Sequence, residues 1–254
     1  MSFLTNPKIA IIGGTGLENP GILENPEEET IVTPYGEPSS GFLTGKIEGV
    51  EVAILSRHGK NHSIPPTKVN NRANIHAIKE LGCTHILATT ACGSLQEHIG
   101  RGDLVILDQF IDFTRHRDVT FYDHFENGNL KHIPMADPFS EEIRSKLISS
   151  CKEMKLNFHE KGTVISIEGP RFSTRAESKM FRLWGADVIN MSVAPEVILA
   201  NELSIPYGCI AISTDYDSWK ENEDPVTWEE VLKVFKQNVQ NVVRLITKTL
   251  PQIK

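Results

Sequence analysis

Long apolar runs are missing from this 254-residue chain: no stretch approaches the length of a membrane-spanning helix, and Met1–Lys8 (MSFLTNPK) lacks the apolar core of a secretion signal. We therefore expect a soluble, intracellular protein, cytoplasmic in location. Cysteine is scarce too. Cys83, Cys92, Cys151 and Cys209 lie far apart with no CxxC pair or metal-ligand spacing, which argues against a disulfide framework and predicts buried thiols. Positive charge is also in deficit. A formal charge of −7 and the lack of a long basic run speak against nucleic acid or an anionic membrane as partner, so an anionic ligand must find a local positive pocket. No GK[ST] follows a glycine loop, and a dinucleotide fingerprint starting at Gly14 fails at Asn19. Arg115, His116, Arg117 and His132 have no recognisable ligand spacing, so no metal is expected. A composition of 39% hydrophobic and 23% charged residues suits one large domain or at most two small ones, and with no internal repeat, low-complexity segment or convincing boundary we expect one domain spanning residues 1–254.

What the chain does contain is a series of short apolar strands that end in polar, donor-rich segments. Lys8–Ile12 (KIAII) runs into Gly13-Gly14-Thr15-Gly16, whose glycines can turn successive N–H groups onto an oxyanion while Thr15 adds a hydroxyl; an ordinary tight turn has the same composition. Residues 18–50, rich in Pro, Glu and Gly, read as hairpins and loops. Val52–Leu55 is a strand ending at Ser56-Arg57-His58-Gly59, with His62 close behind. Arg57 is a forked, permanent cation and His58 donates through one ring nitrogen or both, so the pair can hold a phosphate; a surface ion pair beside a capping histidine is the alternative. Asn70–Leu81 carries a helical apolar face and stops at Gly82, after which Ile86–Thr90 is a strand followed by Thr89-Thr90-Ala91-Cys92-Gly93 as a third hydroxyl-rich segment. If the three loops converge, an anion sits among Thr15, Arg57, His58, Thr90 and the N–H of Ala91.

The second half repeats the pattern with different chemistry. Leu104–Leu107 is a strand, Asp108–Arg117 mixes aromatic and basic residues, and Ser140 caps a helix with Glu141 and Glu142 in its first turn. Thr163–Ile167 leads into Glu168-Gly169-Pro170-Arg171-Phe172-Ser173, where a ring and a hydroxyl on a stiff turn can stack and orient a flat heterocycle, although a core phenylalanine at a turn reads the same way. Val188–Met191 ends at Met191-Ser192, a thioether suited to the apolar face of a sugar beside a hydroxyl, before a helix over Pro195–Leu203. Tyr207–Ser213 is a buried strand, and Asp215 and Asp217 follow it, bracketing Tyr216. Ligands of open α/β sheets gather beyond carboxyl ends of strands, which makes these acids candidates for chemistry; solvated loop acids or a helix cap is the plainer alternative. Thr227-Trp228-Glu229-Glu230 opens a last helix with the stripe Val231, Phe235, Val242, Leu245, ending near Pro251.

The blocks GGTG, SRHG, TTACGSL, HIPMADPF, EGPRFSTRAE, WGADVINMS and STDYDSW, in this order between Lys8 and Ile253, resemble the trimeric purine nucleoside phosphorylase family, and within it the branch that takes 5′-methylthioadenosine. The resemblance implies an α/β fold whose central mixed sheet partly closes into a barrel surrounded by helices. It implies phosphate as co-substrate with no other cofactor, and a homotrimer or a pair of trimers in which His132 reaches the neighbour's site. Phosphate would lie on Thr15, Arg57, His58, Thr90, Ala91 and Ser192, the ribose on Met191, and the purine on Phe172, Ser173, Asp215 and Asp217. Family members that prefer 6-oxopurines carry asparagine at the position matching Asp215. An acceptor aspartate suits a 6-aminopurine, and Asp215 can also deliver a proton or hydrogen bond to N7 while Asp217 orients it. Trp228, Val231 and Leu232 would form a slot for an apolar 5′ group. A phosphorylase acting on adenosine, or on inosine and guanosine, a nucleosidase, and a nucleoside sensor without turnover are the competing readings.

Overall fold

Short β-branched runs flanked by Gly, Pro or Asn make strands, and in this chain they join one mixed sheet. The computed structural model describes residues 7–13, 22–126, 128–221 and 227–254, apart from the side chains of Trp228, Glu230 and Gln237. Its strands are β1 (Lys8–Gly13), β2 (Glu24–Glu29), β3 (Phe42–Ile47), β4 (Val50–Ser56), β5 (His85–Ser94), β6 (Leu104–Ile106), β7 (Gln109–Phe113), β8 (Phe158–His159), β9 (Thr163–Ile167), β10 (Val188–Asn190) and β11 (Tyr207–Asp215). The order is β2-β3-β4-β1-β5-β10-β9-β7, with β11 also paired to β5 and carrying β6 and then β8. The sheet therefore branches at β5 and closes only in part.

β5 is the axis on which the site depends. Its His85–Ala88 stretch pairs in parallel with β1, and Gly93 and Ser94 pair antiparallel with β10, while β11 runs along the other edge. Neither β1 nor β10 pairs with Thr89–Cys92. The sequence ends this strand at Thr90, where Ala, Cys and Gly follow the apolar run, but Ala91 and Cys92 are strand as well, and the whole stretch is held by β11 alone. Likewise β11 does not stop at Ser213: pairing resumes at Asp215 after a register shift, so the first acid lies on the strand rather than beyond it.

Both faces of the sheet are covered, by α1 (Asn71–Glu80), α2 (Glu141–Met154), α3 (Arg175–Leu183), α4 (Val193–Glu202) and α5 (Trp228–Thr249). Alternation along β1 and β4 sorts the core: Ala10, Ile12, Ala53 and Leu55 join Ile75, Ile78, Val197 and Leu199 of α1 and α4, whereas Ile9, Ile11, Val52 and Ile54 join Ile143, Leu147, Phe235 and Leu245 of α2 and α5. Each such large side chain contributes about 1.5–3 kcal/mol on burial. Ser140 accepts from Ile143 N, as its position before two acids predicts. Asn70 caps α1 by accepting from Ala73 N. The four cysteines are buried and free. Among the described residues, no helix is long and apolar enough to cross a membrane.

Candidate active site

The ends of β4, β5, β10 and β11 meet at one cavity of about 830 Å³ including its open mouth. Its wall contains Arg57, His58, Thr90, Ala91, Ser192, Met191, Phe172, Ser173, Asp215, Asp217 and Val231, so eleven residues singled out from the sequence come together. Thr15 and the Trp228 side chain lie outside the described residues.

One end of the cavity is built for an anion. Arg57 follows β4 directly, and its backbone N–H donates to Gly13 O at the end of β1 (3.0 Å). Its guanidinium is buried and held by Glu196 of α4 in a forked pair, with Nη1 donating to Thr89 O on the unpaired edge of β5 (2.9 Å). Glu196 also accepts from Tyr207 Oη (2.7 Å). Burial opposes the Arg57 charge, but the Glu196 charge and its hydrogen bond to the guanidinium hold the Arg57 pKa above its ordinary value. Glu196 carries no obvious signal in the sequence beyond being a carboxylate inside an apolar helix, VAPEVILA. Next to Arg57, burial and the Arg57 charge push the His58 imidazole down to about 4, against the pull of its hydrogen bond to the Ile64 carbonyl. Hydroxyls complete this end. Asn190 Nδ2 donates to Thr90 Oγ1 (3.2 Å) and is itself fixed by Ser166 Oγ (2.7 Å). Ser192 occupies the N-cap of α4 without a side-chain cap bond; its hydroxyl lies 3.4 Å from Thr90 Oγ1 and lines the cavity beside the helix N-terminus.

The opposite end carries the acids. Asp215 Oδ1 accepts from Asp217 N (2.8 Å), a contact made possible by the left-handed backbone of Asp217 (φ 47°). Thr214 Oγ1 lies 2.7 Å from Asp215 Oδ2 and 3.1 Å from Cys92 O. One hydroxyl proton cannot serve two acceptors. Thr214 Oγ1 donates to Asp215 Oδ2 when the carboxyl is ionised, and when it is protonated the carboxyl donates to Thr214 while the Thr214 proton turns to Cys92 O, so both states find partners. Burial, reinforced by the neighbouring Asp217, pushes the Asp215 carboxyl up to about 6, against hydrogen bonds from Thr214 and Asp217 N. Asp217 is gripped by Ser173 Oγ (2.6 Å), and Trp219 Nε1 ties the following turn to Ser94 O (2.8 Å). Gly93 lies beneath both acids: a Cβ there would come within 2.9 Å of Asp215 Oδ1 and 3.1 Å of Asp217 Cβ.

Between the two ends the wall is apolar. Phe172 is partly exposed at the rim, and Ile167, Ile189 and Met191 line the floor. Met191 packs where Gly169 has no side chain, since a Cβ on Gly169 would lie 2.5 Å from its Sδ. Val231 faces the cavity, but Leu232 does not; the helix turns it about 100° away, and Phe235, one turn on from Val231, takes the place expected of it. His132 is exposed and packs against Phe125 (ring centroids 5.7 Å), outside the cavity of its own chain. Among the described residues, no group of three or more His, Cys, Asp or Glu could hold a metal ion.

Known proteins are similar to this chain along nearly its whole length. The S-methyl-5′-thioadenosine phosphorylase of Xenopus tropicalis is 53% identical over 97% of this chain and 89% of its own, and that of Danio rerio is 51% identical over 100% and 91%. The methylthioadenosine phosphorylase of Schistosoma mansoni in complex with adenine superposes with a TM-score of 0.91 at 41% identity, covering 97% of this chain and 92% of that one. A single-site mutant of the adenosine/methylthioadenosine phosphorylase from the same organism, in complex with methylthioadenosine, gives 0.90 at 41% identity over 97% and 91%. Residues 8–251 match the model of the phosphorylase superfamily, and the chain belongs to that family.

Proposed function

We propose that this chain cleaves the N-glycosidic bond of 5′-methylthioadenosine with inorganic phosphate, giving adenine and 5-methylthioribose 1-phosphate, a step of purine and methionine salvage. The observation that carries this reading is the pairing, across one cavity, of an anion end around Arg57 and Ser192 with a carboxyl pair whose leading member, Asp215, is pushed by burial above the usual carboxylate range. As the bond between the anomeric carbon and the purine nitrogen breaks, its electron pair moves into the ring. Asp215, beside the 6-amino group, gives its proton or hydrogen bond to N7, Asp217 orients Asp215 and shares the charge, and Phe172 stacks on the base. Positive charge develops on the ribose against Met191, where a phosphate oxygen held by Arg57, His58, Thr90, Ala91 and Ser192, with Thr15, stabilises it and then bonds to the anomeric carbon. Val231 and Phe235 offer an apolar seat for the methylthio group. The scheme calls on phosphate alone as co-substrate, with no metal or organic cofactor.

We read residues 1–254 as one catalytic domain of a cytoplasmic homotrimer in which His132, exposed and away from its own cavity, completes the neighbour's site. Relatives named for methylthioadenosine favour that nucleoside over inosine and guanosine. The test is release of free base from 5′-methylthioadenosine, adenosine and inosine at matched concentrations, with and without phosphate. Phosphate-dependent release of adenine, fastest from methylthioadenosine, is the expected result. Release in water alone would make the protein a nucleosidase, and inosine leading would overturn the role given to Asp215.

A further inference from the structure

We propose that the anion end of the cavity recognises phosphate by the phosphate's own hydroxyl, donated to a bare Nε2 of His58, and so discriminates against dianions of the same size and charge that carry no proton. The inference rests on the phosphorolysis reading and adds to it how the co-substrate is selected.

The argument begins with the backbone. His58 Nδ1 lies 2.9 Å from Ile64 O, and a carbonyl can only accept, so the ring proton is on Nδ1. The same two residues close the loop a second time, Ile64 N donating to His58 O (3.0 Å), which fixes the ring's partner to the main chain. With Nδ1 committed, the nitrogen left for a ligand is Nε2, and the ring lines the cavity. Protonation of that nitrogen is opposed from several sides. The ring is buried beside Arg57, its face meets His62 at 4.4 Å between centroids, and Arg117 adds repulsion, all of which keep the imidazole neutral at physiological pH. Nε2 therefore presents a lone pair.

Charge does not override this pattern. The Arg57 cation is matched by buried Glu196, so the pair brings little surplus positive charge to attract any dianion indiscriminately. Discrimination falls to hydrogen bonding. Arg57 and the Ser192 hydroxyl offer donors, and Thr90 adds one when its hydroxyl turns from Ala91 O, whereas His58 offers an acceptor. Hydrogenphosphate and hydrogenarsenate each carry one hydroxyl that can meet it. Sulfate and monofluorophosphate have the same charge and nearly the same size but place an acceptor against an acceptor, which a buried site rejects. Holding the hydroxyl at His58 also leaves the remaining oxygens unprotonated, and one of these is the nucleophile; no proton changes hands in binding.

Calorimetry on the complete chain at about pH 7.5 tests this with four probes: phosphate, arsenate, sulfate and monofluorophosphate. Phosphate and arsenate should bind with similar affinity, and sulfate and monofluorophosphate at least about tenfold more weakly. In His58→Gln, whose amide offers both a donor and an acceptor, the gap should shrink to about threefold or less while phosphate binding weakens. Equal affinity of the wild-type chain for phosphate and monofluorophosphate would overturn the proposal, as would an undiminished gap in the variant. The wild-type comparison stands even if the variant does not fold. Binding of none of the four would overturn the phosphorolysis reading itself, and the proposal with it.

Discussion

One cavity drives two titratable groups in opposite directions by the same means. Burial raises the Asp215 carboxyl from 3.8 to about 6 and lowers the His58 imidazole from 6.5 to about 4, each toward its neutral form. The consequences for stability oppose each other. Asp215, raised by folding, contributes stability that is full below about 3.8 and lost as pH rises through about 6; His58, lowered by folding, contributes stability that is full above about 6.5 and lost as pH falls toward 4. For activity the signs are simple. If Asp215 acts as the acid, kcat/KM for the nucleoside at saturating phosphate should fall above about pH 6, with no limb from His58 between about pH 5 and 8. Asp215→Asn should lower kcat/KM for methylthioadenosine by about two orders of magnitude and raise tolerance for inosine, because the acceptor becomes a donor as well. Unchanged relative rates on the two nucleosides would remove the argument for base choice. Gly93→Ala approaches the same acids from below: a methyl group 2.9 Å from Asp215 Oδ1 must displace it, and misplacing a catalytic group by up to about 1 Å costs up to about a hundredfold in rate. Stopped-flow and circular dichroism of the variant should show that loss with the fold retained.

Elements explain which parts of this were legible in the sequence. Strand ends carrying Arg57-His58, Met191-Ser192 and the acids stand out because an apolar run changes abruptly into polar residues, and all of them reach the cavity. Ala91, Cys92 and Asp215 fall beyond the strand ends that the sequence marks at Thr90 and Ser213, since small and acidic residues there break the apolar run; mutual pairing of β5 and β11 makes them strand regardless. β2, with the sequence ENPEEE, has no apolar face to read and exists as the partner of β3. α3 opens with a capping box of Thr174 and Glu177 hidden inside a loop-like motif. Leu232 and Phe235 were exchanged because a stripe read from sequence does not say which of its flanks faces a cavity. Glu196 was invisible because its partners come from the turn after β4 and from β11, at sequence separations of 139 and 11 residues. Its importance is testable at this scale. Glu196→Ala strands the buried Arg57 charge, and it should cost about 3–5 kcal/mol in urea unfolding and weaken phosphate saturation more than nucleoside binding. Unaltered phosphate saturation would dissociate Glu196 from the site.

At the scale of the whole molecule, the branched sheet sets the cavity where β10 and β11 diverge from β5, and the two flanking cores hold those strands from both faces. One proposed element lies outside the single chain, the contribution of His132 to a neighbour. Light scattering should give a mass of three chains, and His132→Ala should raise KM for the nucleoside about tenfold without changing that mass. A monomer with full activity would refute the arrangement. The central claim is that phosphate, rather than water, takes the ribosyl group, and phosphorus NMR of a reaction with 5′-methylthioadenosine and inorganic phosphate follows that bond directly. The account predicts a sugar-phosphate resonance that grows in step with free adenine as the inorganic phosphate signal declines. Adenine accumulating while the phosphate signal stays constant would contradict it.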